Sequence, residues 1–402
     1  MLDIYEESVR LHKKLKGKLE IKSKVEVKTK EDLSLVYTPG VAEVSRQIAK
    51  DESLAYSLTI KHNAVAIISD GSAVLGLGNI GPYAAIPVME GKAILFKEYA
   101  NIDAFPITVK TQNSFEIINL VKNISPVFGG VNLEDISAPR CFEIEDALQE
   151  IGIPVFHDDQ HGTAIVLLAA LINSAKLADK KLTDLKVVIN GAGAAGTAIA
   201  NLLLCVGYDP KICEPVKEII VCDSEGIISK TRADIQNHPF KMRLASITNR
   251  QNREGSLSDA IEGADVFIGV SKGNVFKPSL IKKMNEKAII LAMANPIPEI
   301  MPDKAKEAGA FIVGTGRSDF PNQVNNVLAF PGVFRGALDA RAKTITNHMK
   351  IMAAFALAKS VKDLSVDNIL PSPLDKSVVP NIAKAVKKAY EFDIEMGMIG
   401  NA

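Results

Sequence analysis

Short apolar runs of strand length alternate with helix-length amphipathic stretches along most of the chain. That alternation predicts α/β domains built on parallel sheets. In the first part, residues 65–69 and 104–109 read as strands, and 82–97 and 114–122 as helices. A further strand at 153–156 leads into a long apolar helix from about Thr163 to Leu177. After a polar break at 179–184 the pattern is more regular, with strands at 186–190, 218–222, 265–270, 288–292 and 311–313 separated by helix-length segments. The tail from about Ala342 reads as helical, interrupted by Pro371-Ser-Pro373.

This predicts an N-terminal α/β domain over 1–160 and a Rossmann-type doubly wound domain over 161–345, with the helix near 160–180 as hinge. C-terminal helices over 346–402 are expected to pack back on the body. A length of 402 residues suits two domains and a small appendage.

Composition narrows the class. Forty-seven basic and 47 acidic residues cancel, so no surplus charge draws the whole chain to nucleic acid or to an anionic membrane. Small anions must be held by local sites. The first thirty residues are rich in Lys and Glu and do not resemble a signal peptide, and no apolar run approaches the ~20 residues that span a bilayer. Cys141, Cys205, Cys213 and Cys222 show no CxxC spacing. The expectation is four reduced thiols in a cytoplasmic protein.

Two stretches match G-x-G-x-x-G. The second, Gly191-Ala192-Gly193-Ala194-Ala195-Gly196, follows the apolar run 187–190 and opens a small-residue helical stretch. That context puts free N–H groups at a helix N-terminus facing a pyrophosphate. The run 219–222 then ends in Asp223, where an acid accepts hydrogen bonds from the adenosine ribose. The first match, Gly76 to Gly81, follows only a short run after the turn Asp70-Gly71, so a structural or substrate-side role is expected, although Asp103 falls near the spacing of a ribose-binding acid.

The densest chemistry lies in Glu134-Asp135 and in His157-Asp158-Asp159-Gln160-His161-Gly162. Consecutive strand side chains point to opposite faces, so Glu134 and Asp135 can share a ligand only at a bend. Asp158 and Asp159 sit where a strand meets a helix, the usual place for α/β active sites. Such carboxylates suit Mg²⁺ or Mn²⁺. His157 and His161, four apart with acids between, are not expected on one helical face, which argues against a zinc site.

Several motifs then coincide in order: Tyr37-Thr-Pro-Gly-Val-Ala42, Leu75 to Gly81, Pro87-Val-Met-Glu-Gly-Lys92, Leu133-Glu-Asp135, His157 to Ala164, Gly191 to Ala195, Ala294-Asn-Pro296 and Asn325 to Gly332. Over roughly residues 20–340 the chain resembles the malic enzymes, and its compact length is similar to their bacterial and archaeal branch. The resemblance implies metal-dependent oxidative decarboxylation of malate to pyruvate with reduction of NAD⁺ or NADP⁺, decarboxylation of oxaloacetate, and a homodimer. It implies Tyr37 as general acid, Lys92 as general base, Glu134, Asp135 and Asp159 as metal ligands, and Asp158 tuning protonation beside them. Asn295 and Asn325 or Asn326 are implied as substrate contacts, Asn295 reaching the cofactor as well. Malolactic chemistry, which gives lactate, is the alternative on the same residues.

One position departs from the family. Longer members place a carboxylate-binding arginine where this chain has Ala73, and Arg140, Lys97 and Arg335 are the candidate substitutes. Asp223, followed by Ser224-Glu225-Gly226 with no adjacent cation, favours NAD⁺ weakly over NADP⁺, subject to Lys230 or Arg232 folding back.

Overall fold

In the computed structural model, which describes residues 3–399, the predicted α/β class holds. Four parallel strands form the first sheet in the order β2-β1-β3-β4: β1 (Ala64–Ser69), β2 (Asp103–Thr108), β3 (Gly130–Leu133) and β4 (Val155–His157). The second sheet runs β10-β9-β8-β5-β6-β7, from β5 (Lys186–Asn190), β6 (Glu218–Asp223), β7 (Gly226–Ile227), β8 (Val266–Gly269), β9 (Ile289–Ala292) and β10 (Ile312–Thr315). All its pairs are parallel except β6 with the two-residue β7. The chain order reverses direction across the sheet between β5 and β8, which opens a crevice at the carboxyl ends of those strands.

The strands form because their residues are apolar on both faces, as parallel sheets covered by helices require. Ala64–Ser69 is buried throughout, as is Val187–Asn190. One continuous apolar core links the sheets, from Val65 and Ile67 of β1 through Ile165–Leu171 to Val187 and Ile189 of β5. Phe96, Phe330, Phe334 and Phe156 stack within it, with ring centroids 4.7–5.8 Å apart.

The helix between the sheets begins earlier than the sequence predicts, at Asp158 rather than Thr163, and runs to Ala178. Acids in its first turn face the positive end of the helix dipole, so the polar motif starts the helix instead of preceding it. By length and composition over its most apolar window, this helix could cross a membrane, contrary to the expectation that no run approaches that length. Its window is 72% buried within the protein, and it serves as a core helix.

Helices Asn347–Lys359 and Val378–Glu395 close the structure. Asn173 of the central helix donates to the carbonyls of Ala358 and Ile369 at 3.0 and 2.9 Å, tying the tail to the core. Cys205 and Cys213 form a disulfide, which corrects the expectation of four free thiols. The loop turns back on itself through Cys213 N–H to Asp209 O and Val216 N–H to Leu203 O, bringing the two Cα atoms to 5.8 Å. Cys141 and Cys222 are buried and free.

Candidate active site

The carboxyl ends of β3 and β4 carry the acids. Glu134 and Asp135 follow β3, each 4% exposed. Asp135 adopts φ 55°, a left-handed conformation rare outside glycine. This supplies the bend that lets neighbours share a ligand, at Asp135 itself. Its N–H donates to Asp159 Oδ2 at 2.8 Å. One carboxylate oxygen from each of Glu134, Asp135 and Asp159 falls within 4.8 Å of the others. Asp135 Oδ2 and Asp158 Oδ1 are buried with no hydrogen-bond partner. Three converging acids with an unanswered oxygen fit a hard divalent cation.

Lys92 reaches into the same place from the helix Gly81–Ala100. Its Nζ lies 2.5 Å from Asp158 Oδ2, 2.8 Å from Glu134 Oε1 and 4.1 Å over the Phe330 ring, and the residue is 7% exposed. Burial alone pushes the ammonium down, but Asp158 and Glu134 outweigh it and hold Lys92 above its ordinary value. Burial raises Asp158 to about 8 against the opposing pull of Lys92. Burial, then Asp159 and Glu134, push Asp135 to about 9. Gly162 is required beside this pair, because a Cβ there would lie 1.7 Å from Asp158 Oδ1.

His157 ends β4, fully buried with neither ring nitrogen bonded, 3.7 Å from Asp159. His161 lies one helical turn on and pairs with Glu145 at 3.0 Å.

A cleft of about 500 Å³ lies between the first glycine turn and the second sheet, lined by Leu75, Gly76, Asn295, Arg317 and Asn325 among others. The first turn forms a short 3₁₀ segment, Leu75–Leu77, and not a strand-to-helix junction of the dinucleotide type. Gly76 touches the other side of the cleft so closely that a Cβ would lie 2.0 Å from Asn295 O. Asp103 stands at the amino end of β2, paired with Asn63 and Lys97, away from the edge where a ribose binds. Asn325 faces the cleft, whereas Asn326 lies against Gly162 at the Asp158 turn.

The three cations suggested in place of the missing arginine are all engaged elsewhere. Arg140 bonds Asp70, Ser72, Ser137 and the Gln112 carbonyl; Lys97 pairs with Asp103; Arg335 holds Asn63 and Asp339. Arg317, missed in the sequence, stands in the cleft beside Asn295 and Asn325, where it pairs with Asp319 at 2.6 Å. Its signal, a basic residue just past an apolar strand end, was readable.

Tyr37 caps the helix Lys30–Val36, is 64% exposed, and its hydroxyl has no hydrogen-bond partner among the described residues. No residue from Asp3 to His62 is buried. The fold of a single chain does not seat Tyr37 among the acids.

The second glycine turn joins β5 to the helix Ala194–Leu203. Gly191 has φ 131°, and a Cβ on Gly196 would strike Gly191 O at 1.8 Å. A Cβ on Gly193 would meet nothing within 4 Å, which leaves space for a pyrophosphate at the Ala194–Ala195 helix start. Asp223 ends β6, and Arg232 does fold back onto it at 2.8 Å, joined by Lys241 at 2.7 Å. These cations outweigh burial and hold its carboxyl below the ordinary value.

A parallel sheet with this turn at its switch point, facing a buried carboxylate–lysine centre, defines a dinucleotide-dependent oxidoreductase class. Residues 16–117 match the family model for the malic enzyme N-terminal domain, and 160–390 match the malic enzyme NAD-binding domain. The chain belongs to the malic enzyme family. It is 55% identical to the bifunctional malic/malolactic enzyme of Bacillus subtilis, over 96% of this chain and 93% of that one. It is 46% identical to an NADP-dependent malic enzyme of Rhizobium meliloti, over 93% of this chain and 50% of that one. The crystal structure of the NAD-dependent malic enzyme of Thermotoga maritima superposes with TM-score 0.90 and 50% identity, covering 96% of this chain and 99% of that one.

Proposed function

We propose that the chain oxidises and decarboxylates (S)-malate to pyruvate and CO₂ while reducing a nicotinamide dinucleotide. The observation that carries this is Lys92, buried between Asp158 and Glu134 beside three acids arranged for a cation. Glu134, Asp135 and Asp159 would hold a divalent ion, which would supply Lewis-acid polarisation of the substrate's oxygens. Lys92 first passes a proton to Asp158 Oδ2 across 2.5 Å, and the neutral amine then takes the 2-hydroxyl proton as hydride leaves C2. Asn295, with Asn325 or Asn326, orients the substrate, and Asn295 also meets the nicotinamide side of the cleft. Arg317, which pairs with Asp319 inside the cleft itself, is the candidate anchor for the carboxylate that Ala73 cannot hold. Tyr37 protonates C3 after CO₂ departs.

Tyr37 reaches a site in a homodimer. Ile21, Val25, Leu35 and Tyr37 are 94%, 54%, 70% and 64% exposed, an apolar arm that a second copy would cover. The functional division remains 1–160 for substrate and metal, 161–345 for the dinucleotide and 346–402 for the closing helices. Dependence on a nicotinamide pool supports a cytoplasmic location, without nucleic-acid or membrane partners. NAD⁺ is favoured weakly, since Arg232 and Lys241 neutralise much of the repulsion that Asp223 would present to a 2′-phosphate.

The test is to supply malate, Mn²⁺ and each dinucleotide, follow reduced nicotinamide by absorbance, and assay the end product. Pyruvate with stoichiometric cofactor reduction supports the reading. No turnover, or turnover unaffected by chelator, removes it. The Bacillus relative's name supports a second activity on the same residues. Lactate without net cofactor reduction identifies the malolactic reaction, and oxaloacetate is tested as a third substrate.

A further inference from the structure

A second cavity, of about 400 Å³, lies behind the turn that carries Asp158 and Asp159. It is enclosed by the helices Arg140–Leu148, Ala194–Leu203, Pro239–Ile247 and Asn347–Lys359 and by Gln160 and His161 of the central helix. Phe142 and Phe240, with ring centroids 4.9 Å apart, form one wall. No step proposed above uses it.

Its polar groups do not satisfy one another. Glu145 accepts from His157 N–H at 3.0 Å, Gln160 Nε2 at 2.9 Å and His161 Nε2 at 3.0 Å. Burial would raise its carboxyl, but His161 and Lys350 bring it to about 2. Lys350 Nζ has His161 Nε2 at 3.5 Å. That nitrogen already faces Glu145, and one ring nitrogen cannot donate to a carboxylate and accept from an ammonium together. Among the described residues no carboxylate lies within ion-pair distance of Lys350 Nζ, and burial pushes the group below its ordinary value against the pull of Glu145 and Asp146. Arg243 stands at the mouth, where Asp146 is the neighbouring acid, and burial pushes that acid toward its neutral form. Deeper in, Asn201 Oδ1 is buried without a donor. A lysine without a carboxylate partner and a carbonyl lacking a donor, in one cavity of ligand size, are costly unless a third molecule answers both.

We propose that this cavity is a second ligand site, which takes a small carboxylic acid bearing an ammonium or hydroxyl donor. The carboxylate lies between Lys350 and Arg243, and the donor meets Asn201 Oδ1. Because Gln160 and His161 line it from the same helical turn as Asp158 and Asp159, occupancy bears on the back of the catalytic acids.

The test uses the full chain without divalent metal, so that binding does not depend on the catalytic centre. L-Aspartate and succinate are titrated calorimetrically as probes. L-Aspartate should bind one per chain and more tightly than succinate, which lacks the donor. Lys350→Met and Arg243→Gln should each weaken it about tenfold, the scale of one lost charge-assisted contact. Asn201→Leu should erase the preference for L-aspartate, while malate turnover in the absence of added ligand stays within about twofold of the unaltered chain in all three. Arg243 lies at the mouth, so its variant reports even where Lys350→Met fails to fold. Binding of neither acid up to millimolar concentration would mean that the cavity holds water only and would overturn the proposal. So would binding undiminished in both cation variants.

Discussion

Lys92 and Tyr37, the two residues assigned to proton transfer, lie in opposite surroundings. Lys92 is 7% exposed, fixed by two carboxylates and an aromatic face, on a helix whose inner side is core. Tyr37 is 64% exposed on a segment in which nothing is buried. The first environment is completed within one chain: every contact that positions Lys92 comes from elements packed around β3, β4 and the central helix. The second is not completed there. A proton donor must approach its acceptor to hydrogen-bond distance, so the arm must find its packing on another surface. Under the proposed homodimer, one half of the acid–base pair is a property of the folded monomer and the other a property of the assembly.

The comparison can be broken most sharply at Lys92. Lys92→Ala should lower malate oxidation ~10²–10⁴-fold, measured by absorbance of reduced nicotinamide, at any protein concentration. A loss below tenfold would remove Lys92 from the base role. Tyr37→Phe should lower turnover by a comparable or smaller factor while sparing hydride transfer in a single turnover. Mixing it with Lys92→Ala chains under exchange should recover activity that neither variant has alone, if the arm serves a second copy. No recovery would place Tyr37 in its own chain's site.

Asp159→Ala should weaken Mn²⁺ binding far more than dinucleotide binding, read by calorimetry for each; equal losses would count against its role as a ligand. A smaller effect concerns pH. Asp135 and Asp158 rise from 3.8 to about 9 and about 8 in the fold. Between those values the unfolded chain has released protons that the folded chain retains, so their contribution to stability falls as pH rises through that window. The metal-free protein should therefore lose melting temperature from weakly acidic to weakly alkaline pH, and Mg²⁺ should restore more of it at the alkaline end. A metal effect independent of pH would contradict this. The smallest expected change is in cofactor choice. Asp223→Ser releases Lys241, and leaves Arg232 with Asp234 as its one remaining acid, so it should move kcat/KM toward NADP⁺, whereas a shift toward NAD⁺ would reverse the reading of that corner.

Much of the frame was legible because parallel strands buried on both faces leave unmistakable apolar runs: 65–69, 186–190 and 288–292 correspond to strands almost residue for residue. The dinucleotide turn was legible because its flanks, and not only its glycines, were right. The start of the central helix was not, since Asp158-Asp159-Gln160-His161 looks like a loop until the helix dipole is considered. The bend at Asp135 left no trace, because a left-handed aspartate carries no glycine to announce it. Half-exposed helices such as Arg140–Leu148 and Pro239–Ile247 have mixed faces that blur their period. The engagement of Arg140, Lys97 and Arg335 depends on partners distant along the chain, as does the pairing of Arg232 and Lys241 with Asp223, and spacing cannot report either.

Gly162 has an implication for engineering and for natural variation alike. A single methyl at that position would occupy the volume of Asp158 Oδ1 without altering any charge in the centre. Gly162→Ala is therefore a way to detach the Asp158 carboxylate from the Lys92 ammonium while leaving both groups chemically intact. It separates what the pair contributes through its contact from what each member contributes alone, a distinction that deleting either charge cannot make.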